Sequence, residues 1–246
     1  MELASPVPGW DYSARLTEVK ARIHAAEAGC GRAGAGVRLL VATKSWGPDA
    51  AAAVVRAAGG SAGKVLVGES RMQELEVKGP ALAEAGARVH VIGQLQRNKA
   101  ATAVRFAQCV QTVESLALAE RLSRLALEAE RDLEVMIQVN VSGEETKAGV
   151  EPGAAQTLAS AVQALPGLTV TGFMTIGLNS HQEAPVREGY ARLREIRDQA
   201  LIRAERGSVP LASAWELSMG MSNDLEWAIA EGATMVRVGT AIMGRR

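Results

Sequence analysis

The sequence predicts a single α/β domain folded as a (β/α)8 barrel, because short β-type runs alternate with longer helical runs along its 246 residues. Several of the strand candidates are apolar on both faces, as parallel strands covered by helices require. Eight strands is also a number that closes a barrel, and the chain length suits one such barrel. We therefore expect one domain over residues 1–246, with no linker inside it.

Eight segments have the length and residue types of strands. In chain order they are Arg38–Thr43, Lys64–Val67, Arg88–Ile92, Cys109–Thr112, Leu133–Val139, Leu168–Phe173, Ala214–Leu217 and Met235–Val238. Because a helix-length stretch separates each strand from the next, we expect parallel pairing through right-handed crossovers.

Apolar residues at three- and four-residue spacing predict helices between the strands, most clearly over Ser115–Glu130 and Val186–Arg206. Pro48 and Pro152 stand just after turn residues, where the first turn of a helix tolerates proline. Eight strands leave only seven intervening helices. We therefore expect the N-terminal helix, roughly Tyr12–Ala28, to be the eighth and to pack across the seam between the first and last strands.

Composition and charge limit the classes of function. Lysine plus arginine (27) equals aspartate plus glutamate (27), so no overall charge would attract nucleic acid or an anionic membrane. No apolar run approaches the roughly 18 to 20 residues of a membrane span, and the N-terminus lacks the features of a secretory signal. Cys30 and Cys109 fit no metal-ligand spacing; we expect free thiols, although composition does not exclude one disulfide. A cytoplasmic protein without a metal is expected.

Lys44 directly follows the first predicted strand, and in such a barrel the working face lies at the carboxyl ends of the strands. A lysine at this position can keep its stem among apolar neighbours, which favours the neutral amine that attacks an aldehyde. The alternative is a lysine that merely extends from a strand end into solvent. The residue alone does not decide between these interpretations.

Arg237 interrupts the last predicted strand, Met235–Val238, which is otherwise apolar. A buried guanidinium needs a carboxylate, a phosphate or another acceptor. Two partners are equally compatible with the sequence: a structural glutamate such as Glu216, or the ring nitrogen of a cofactor. An arginine beside a pyridine nitrogen would keep that nitrogen unprotonated and would weaken the ring as an electron sink.

Two turns of small residues follow the last two predicted strands. The first is Ser218–Ser222, which opens a predicted helix over Asn223–Glu231, and the second is Gly239-Thr240. Backbone N–H groups at a helix start, together with hydroxyls, bind anions without net positive charge. Barrels often place phosphate between these same two loops. Either turn could be ordinary, but the two together, beside Lys44 across the closed seam, favour a phosphate site.

Other polar residues at strand ends are less informative. His90 lies on the third strand and Asn140 follows the fifth, and each could be a hydrogen-bonded structural group. Glu69 could orient a lysine or cap the next helix, and Gln96–Lys99 could bind anions or form a solvated helix start. The sequence has no HExxH, CxxC pair, GxSxG or P-loop motif, so metal, serine and nucleotide hydrolysis lack their usual groups.

Six motifs occur in a characteristic order: VATKSWGPDA around Lys44, VGESRMQE from Val67, HVIGQLQRNK from His90, VMIQVNVSGEETKAGV from Val135, GFMTIG from Gly172 and LSMGMSNDLEWAIAEGATMVRVGTAIMG from Leu217. Together they resemble the pyridoxal phosphate homeostasis protein family (YggS/PROSC-like), which is similar to the N-terminal barrel of alanine racemase. The resemblance covers roughly Arg38 to Gly244, and its long C-terminal motif is specific.

The resemblance implies a barrel of PLP fold type III that holds pyridoxal 5′-phosphate (PLP) as a Schiff base on Lys44, with Arg237 beside the pyridine nitrogen. The remaining implied contacts are Ser218, Gly239 and Thr240 at the phosphate, helped by the backbone near Met221 and Ser222, and His90, Asn140 and Met174 near the ring. Ser70 replaces the family's asparagine after the second strand, which would remove a side-chain amide contact, and Gln94 replaces a proline.

Two classes of function suit such a barrel. A carrier or regulator would buffer PLP and pass it to PLP-dependent apoenzymes, whereas a racemase needs acid–base groups on both faces of the substrate α-carbon. In alanine racemase one such group is a tyrosine of an additional β domain. We expect no such domain here, and the two tyrosines, Tyr12 and Tyr190, fall in helical segments. We therefore expect a monomer that serves PLP homeostasis without significant turnover; a lyase that uses the same lysine is a third alternative.

Overall fold

Eight parallel strands form a closed barrel in the order of the chain, and the last strand pairs with the first. The computed structural model describes residues 3–59, 65–144 and 147–245. The strands are β1 (Arg38–Ala42), β2 (Val65–Glu69), β3 (Ala87–Val91), β4 (Cys109–Val113), β5 (Leu133–Gln138), β6 (Leu168–Met174), β7 (Glu216–Ser218) and β8 (Met235–Val238). The predicted fold class and all eight predicted strands are confirmed to within one or two residues at most ends; Lys64 lies outside the described residues.

The helices alternate with the strands as predicted. They are α1 (Tyr12–Gly29), α2 (Pro48–Ala57), α3 (Met72–Glu84), α4 (Ala100–Phe106), α5 (Leu116–Glu128), α6 (Ala155–Gln163), α7 (Glu183–Glu205), α8 (Leu225–Ala230) and α9 (Thr240–Met243), with single 3-10 turns at Arg97–Lys99 and Pro152–Ala154. Helix α1 begins where the Asp11 carboxylate accepts a hydrogen bond from the Ala14 N–H. It packs against α2, α8 and α9 and therefore covers the seam between β1 and β8.

Two elements near the end of the chain differ from the prediction. Strand β7 begins at Glu216 rather than Ala214, because the Ala214 N–H donates to Leu211 O and closes a turn instead of joining the ladder. The four-residue helix α9 directly after β8 was not predicted. A run this short carries no apolar periodicity, so the sequence offers no signal for it.

Ion pairs occupy the interior of the barrel at the amino ends of its strands. Arg38 Nη2 lies 2.6 Å from Glu216 Oε2, and Arg88 Nη2 lies 2.5 Å from Glu134 Oε1. Each pair joins strands that are not neighbours, so these side chains meet inside the barrel. Burial raises the pKa of Glu216 above its usual value, although Arg38 acts in the opposite direction.

Apolar residues fill the barrel above these ion pairs. One group comprises Leu40, Leu66 and Met235, and another comprises Cys109, Met136 and Met174. Cys30 and Cys109 are free thiols, as expected, and burial raises the pKa of Cys109. This packing leaves the carboxyl end of the barrel as the place where polar groups can meet a ligand.

Within the three described stretches of chain, no helix combines the length and the apolar character that crossing a membrane requires. The same stretches hold no group of three or more His, Cys, Asp or Glu side chains arranged to bind a metal ion.

Candidate functional site

Strand pairing brings three predicted site segments side by side. Leu40 of β1 pairs with Arg237 of β8, and the Arg237 N–H donates a hydrogen bond of 3.0 Å to Gly220 O in the turn after β7. A Cβ on Gly239 would lie 3.2 Å from Ala42 O, so the chain leaving β8 passes directly beside the end of β1. The turn that bears Lys44, the turn after β7 and the Gly239-Thr240 turn therefore share the carboxyl end of the barrel.

Lys44 lies in the turn after β1 and is exposed. Of the two interpretations of this residue, its exposure corresponds to the second, a lysine that extends from the end of β1 into solvent. The next residue, Ser45, has a φ of 71°, a left-handed backbone conformation that is uncommon for residues other than glycine. Lys44 is thus presented to solvent from a constrained turn.

Arg237 is buried, at 5% exposed, and its guanidinium is held by three oxygens. Nη1 donates to Ser218 O at 2.7 Å and to Ser218 Oγ at 2.8 Å, and Nη2 donates to Thr175 O at 2.7 Å. Burial lowers the pKa of Arg237, while Tyr190 and Asp224 act in the opposite direction. The alternative of a structural partner in Glu216 is wrong, because Glu216 pairs with Arg38 at the other end of the barrel.

Ser218 and Thr240, both predicted at the phosphate, lie in different environments. Ser218 is fully buried, and its hydroxyl accepts from Arg237 and donates to Gln111 Oε1 at 2.7 Å. That hydroxyl is therefore engaged inside the barrel rather than at its mouth. Thr240 is exposed at the start of α9, and Gly239 is half-buried beside it. Gly239 and Thr240 are therefore at the rim, whereas the Ser218 hydroxyl is buried.

The turn after β7 is braced by side chains from three elements. The Met221 N–H donates to Asp224 Oδ1 at 2.6 Å, and the Tyr190 hydroxyl of α7 donates to Asp224 Oδ2 at 2.8 Å. Arg22 of α1 donates to Ser222 O at 3.2 Å. Because the Met221 N–H is already engaged, Ser222 is the better candidate for contact with an anion at this turn.

Met174 and Asn140, which the resemblance places near the ring of PLP, have different contacts. Met174 packs against Cys109 and Met136 inside the barrel. Asn140 instead closes its own loop, since its Nδ2 donates to Glu144 O at 2.8 Å and to Lys147 O at 3.2 Å. The Asn140 amide is therefore committed to the loop after β5.

His90 lies inside the barrel at 1% exposed, and its Nδ1 accepts a hydrogen bond of 2.8 Å from Gln111 Nε2. The proton then belongs on Nε2, which has no hydrogen-bond partner among the described residues. Burial, with smaller contributions from Arg88 and Arg38, lowers the pKa of His90 to about 3. His90 is neutral at pH 7 and directs an N–H group into the barrel interior.

Replacing His90 by glutamine should make the unfolding free energy less dependent on pH below neutrality. The pKa of His90 falls from 6.5 to about 3 on folding, so neutral His90 stabilises the fold above pH 6.5, and this contribution is lost as the pH falls below that value. Between pH 7 and pH 5 the wild type should lose about 2 kcal/mol more unfolding free energy than His90→Gln. Urea titrations at both pH values measure the difference. His24→Gln, at an exposed position, is the control, and equal losses in wild type and His90→Gln would contradict the assignment.

Two residues that connect parts of this site were not predicted from the sequence. Gln111 joins Ser218 to His90, and Asp224 joins the turn after β7 to Tyr190. The sequence does contain a signal for Gln111, because this polar residue interrupts the apolar strand β4 in the same way that Arg237 interrupts β8. Asp224 had none, since an aspartate in a turn is ordinary.

Comparison with known proteins assigns the chain to a family. The family model for the alanine racemase N-terminal domain matches residues 16–246. A pyridoxal phosphate homeostasis protein of Pseudomonas aeruginosa is 40% identical over 231 residues, which cover 94% of this chain and 94% of that protein. PipY of Synechococcus elongatus, whose structure was solved with PLP bound, is 30% identical with a TM-score of 0.77, covering 95% of this chain and all of that one.

The fold also matches a more distant structure. An alanine racemase of Clostridium difficile is 14% identical with a TM-score of 0.71, and the match covers 96% of this chain but 57% of that one. At this identity the similarity concerns the barrel alone. The chain belongs to the alanine racemase N-terminal domain family and, within it, to the pyridoxal phosphate homeostasis proteins.

Proposed function

We propose that this protein binds PLP at the carboxyl end of its barrel, as a Schiff base on Lys44 Nζ, and serves PLP homeostasis. One observation carries the proposal: the turn that bears the exposed Lys44, the strand that bears the buried Arg237 and the Gly239-Thr240 turn are neighbours at the carboxyl end of the barrel. The PLP bound to PipY and the name shared by the relatives give independent support.

The residues at this end fit the chemistry of PLP. An aldehyde requires an accessible amine, which Lys44 provides. A phosphate requires N–H and hydroxyl donors, which the start of α9 and Thr240 provide. A Cβ at position 239 would approach Ala42 O to 3.2 Å, so glycine keeps this turn close to β1.

Each residue has a distinct task in this proposal. Bound PLP supplies a reactive aldehyde and, in enzymes, an electron sink. Arg237 has N–H donors and no acceptor atom, so a ring nitrogen beside it would have to be unprotonated and accept a hydrogen bond from the guanidinium. Thr240, with Ser222, holds the phosphate at the rim. Ser218 orients Arg237 instead of binding phosphate, because its hydroxyl already contacts Nη1 at 2.8 Å.

The positions of the tyrosines support a carrier rather than a racemase. The Tyr190 hydroxyl is bound to Asp224, and burial together with that carboxylate raises its pKa well above the usual value. Tyr12 is buried on α1, which packs on the outside of the barrel. Neither is placed to serve as the second acid–base group that racemisation requires. We propose that the protein acts as a cytoplasmic monomer and passes PLP to PLP-dependent apoenzymes, to which the exposed Lys44 is accessible.

A titration of the purified protein with PLP, followed by L-amino acids, tests this function. The protein should develop the visible absorbance of a Schiff base, and chiral analysis should then show no sustained production of D-amino acids. An alanine racemase treated in parallel is the positive control. Racemisation at about 1 per second or faster would favour the racemase alternative, and a protein that stays colourless with excess PLP would overturn the binding proposal itself.

A further inference from the structure

Three charged side chains are buried together beside the turn that bears Lys44. We call this group the Lys78 cluster: Glu69 at the end of β2, and Glu74 and Lys78 on α3. Lys78 Nζ lies 2.6 Å from Glu69 Oε2 and 3.5 Å from Glu74 Oε2, and none of the three side chains is more than 1% exposed. Arg71 Nη1, from an exposed position, lies 3.2 Å from Glu74 Oε1.

Stability alone does not account for three charges buried in this place. Burying an ammonium and two carboxylates has a large desolvation cost, and apolar side chains of similar size often give equal or greater stability. The cost is visible at Glu69, whose pKa is raised by burial despite the opposing effects of Lys78 and Thr43. The contacts that the cluster makes indicate another role.

Those contacts converge on the two peptide groups that flank Lys44. Lys78 Nζ donates to Thr43 O at 3.0 Å, which fixes the peptide group before Lys44. The Ser45 N–H donates to Glu74 Oε2 at 2.6 Å, which fixes the peptide group after it. The Thr43 hydroxyl also donates to Glu69 Oε1. Charged groups form the stronger class of hydrogen bond, so both contacts are suited to hold backbone rigidly.

The backbone conformation at Ser45 gives these contacts a physical purpose. A serine with a φ of 71° costs about 1 kcal/mol or more relative to its usual conformations. Two backbone hydrogen bonds also hold this turn, from the Ala4 N–H to Ser45 O at 3.0 Å and from the Trp46 N–H to Thr43 O at 3.2 Å. Loss of the charged acceptor for the Ser45 N–H should therefore loosen the turn without unfolding it, and the direction of Lys44 should vary more. The carboxylate of Glu74 offsets this cost and keeps the turn in one conformation.

We propose that Lys78, Glu74 and Glu69 are positioning residues that aim the Lys44 amine at the aldehyde of the ligand without touching the ligand. The inference rests on the proposed function, in which Lys44 carries PLP. The step that it assists is imine formation: the neutral amine nitrogen forms a double bond to the aldehyde carbon, the carbon–oxygen double bond breaks, and the oxygen leaves as water with the two hydrogens of the amine. The Lys78 cluster accelerates this step by limiting the directions that the amine samples.

A variant with an apolar cluster separates positioning from stability. Glu69→Met, Glu74→Met and Lys78→Met combined should still fold, because no charge is left buried without a partner, although the Ser45 N–H and the Thr43 hydroxyl each lose a hydrogen bond. Its rate constant for Schiff-base formation, followed by stopped-flow absorbance after mixing with PLP, should fall at least about tenfold. Glu74→Gln, which retains an oxygen acceptor for the Ser45 N–H, should keep most of the wild-type rate. Glu76→Met, on the exposed face of the same helix, is the matched control.

A second measurement needs no PLP. Hydrogen exchange of the Ser45 N–H should be slow in the wild type and at least about tenfold faster in the triple variant, because the Glu74 contact is lost. If the wild type forms the Schiff base and the triple variant forms it at the same rate, the positioning role is overturned and PLP binding stands. If the wild type forms no Schiff base, both proposals fail.

Discussion

Replacing Lys44 by alanine is expected to abolish covalent attachment of PLP while the barrel remains folded. Lys44 is exposed, so its removal should change the unfolding free energy by less than about 0.5 kcal/mol. The amine, in contrast, has no substitute at the end of β1. After incubation with PLP and reduction with borohydride, mass spectrometry of the wild type should locate the adduct on the peptide that contains Lys44, and Lys44→Ala should carry none.

Two other lysines complete this experiment: one is a control position and the other is the alternative attachment site. Lys20→Ala removes an exposed lysine from α1 and should leave the adduct unchanged. Lys147 is the plausible competitor, because its Nζ donates to Gly177 O at 2.8 Å in the loop after β6. An adduct that persists in Lys44→Ala and maps to Lys147 would mean that the loop after β5, rather than the turn after β1, carries the cofactor.

The fold was predictable from the sequence because its signals are local. Each strand is a short apolar run, and each intervening helix has its own apolar periodicity or a proline at its first turn, as at Pro48. Closure of the barrel followed from the number of strands and from the place of α1, which packs between α2 and α8 as expected. None of these inferences required knowledge of contacts between distant residues.

The site was only partly predictable because side-chain direction depends on register across strands. Ser218 and Thr240 both follow or end strands and both have hydroxyls, yet Ser218 points into the barrel and Thr240 lies exposed at the rim. The position of Ser218 reflects its pairing with Met235 in β8, a long-range contact that no local pattern encodes. The burial of Arg237 was predictable, whereas its carbonyl partners were not.

Part of the Lys78 cluster could be predicted from the sequence pattern of α3. Glu74 and Lys78 are four residues apart and lie on the same buried face of α3 as Leu75 and Leu82. Charged residues within an apolar helical stripe are as unusual as Arg237 within an apolar strand. Glu69, for which the sequence indicates either orientation of a lysine or capping of the next helix, lies 2.6 Å from Lys78. The contact of Glu74 with the Ser45 N–H became visible only in three dimensions.

Replacing Arg237 by glutamine is expected to weaken both the fold and the binding of PLP. The shorter side chain cannot reach Ser218 and Thr175 together, so at least one buried oxygen loses its donor, which costs about 1 to 3 kcal/mol. Removing the desolvation cost of the guanidinium offsets part of this loss. Urea unfolding of Arg237→Gln, Ser218→Ala and the double variant gives the coupling energy, which should be about 0.5 to 3 kcal/mol if the two side chains act together. Arg124→Gln, in an exposed ion pair with Glu128 on α5, is the surface control.

The binding measurement distinguishes the ring from the phosphate. If Arg237 lies beside the pyridine nitrogen, Arg237→Gln should weaken binding at least about tenfold, or about 1.4 kcal/mol, for both PLP and pyridoxal, which lacks the phosphate. Thr240→Val should weaken binding of PLP alone, because the Thr240 hydroxyl is at the rim and has no proposed contact with the ring. Weakening of PLP but not pyridoxal in Arg237→Gln would instead assign the guanidinium to the phosphate. Arg237 donates hydrogen bonds of 2.7 Å to carbonyls at the ends of two strands, so its position should be fixed before the ligand binds. We therefore expect Arg237→Gln to weaken binding of pyridoxal as well as PLP, as a contact with the ring requires.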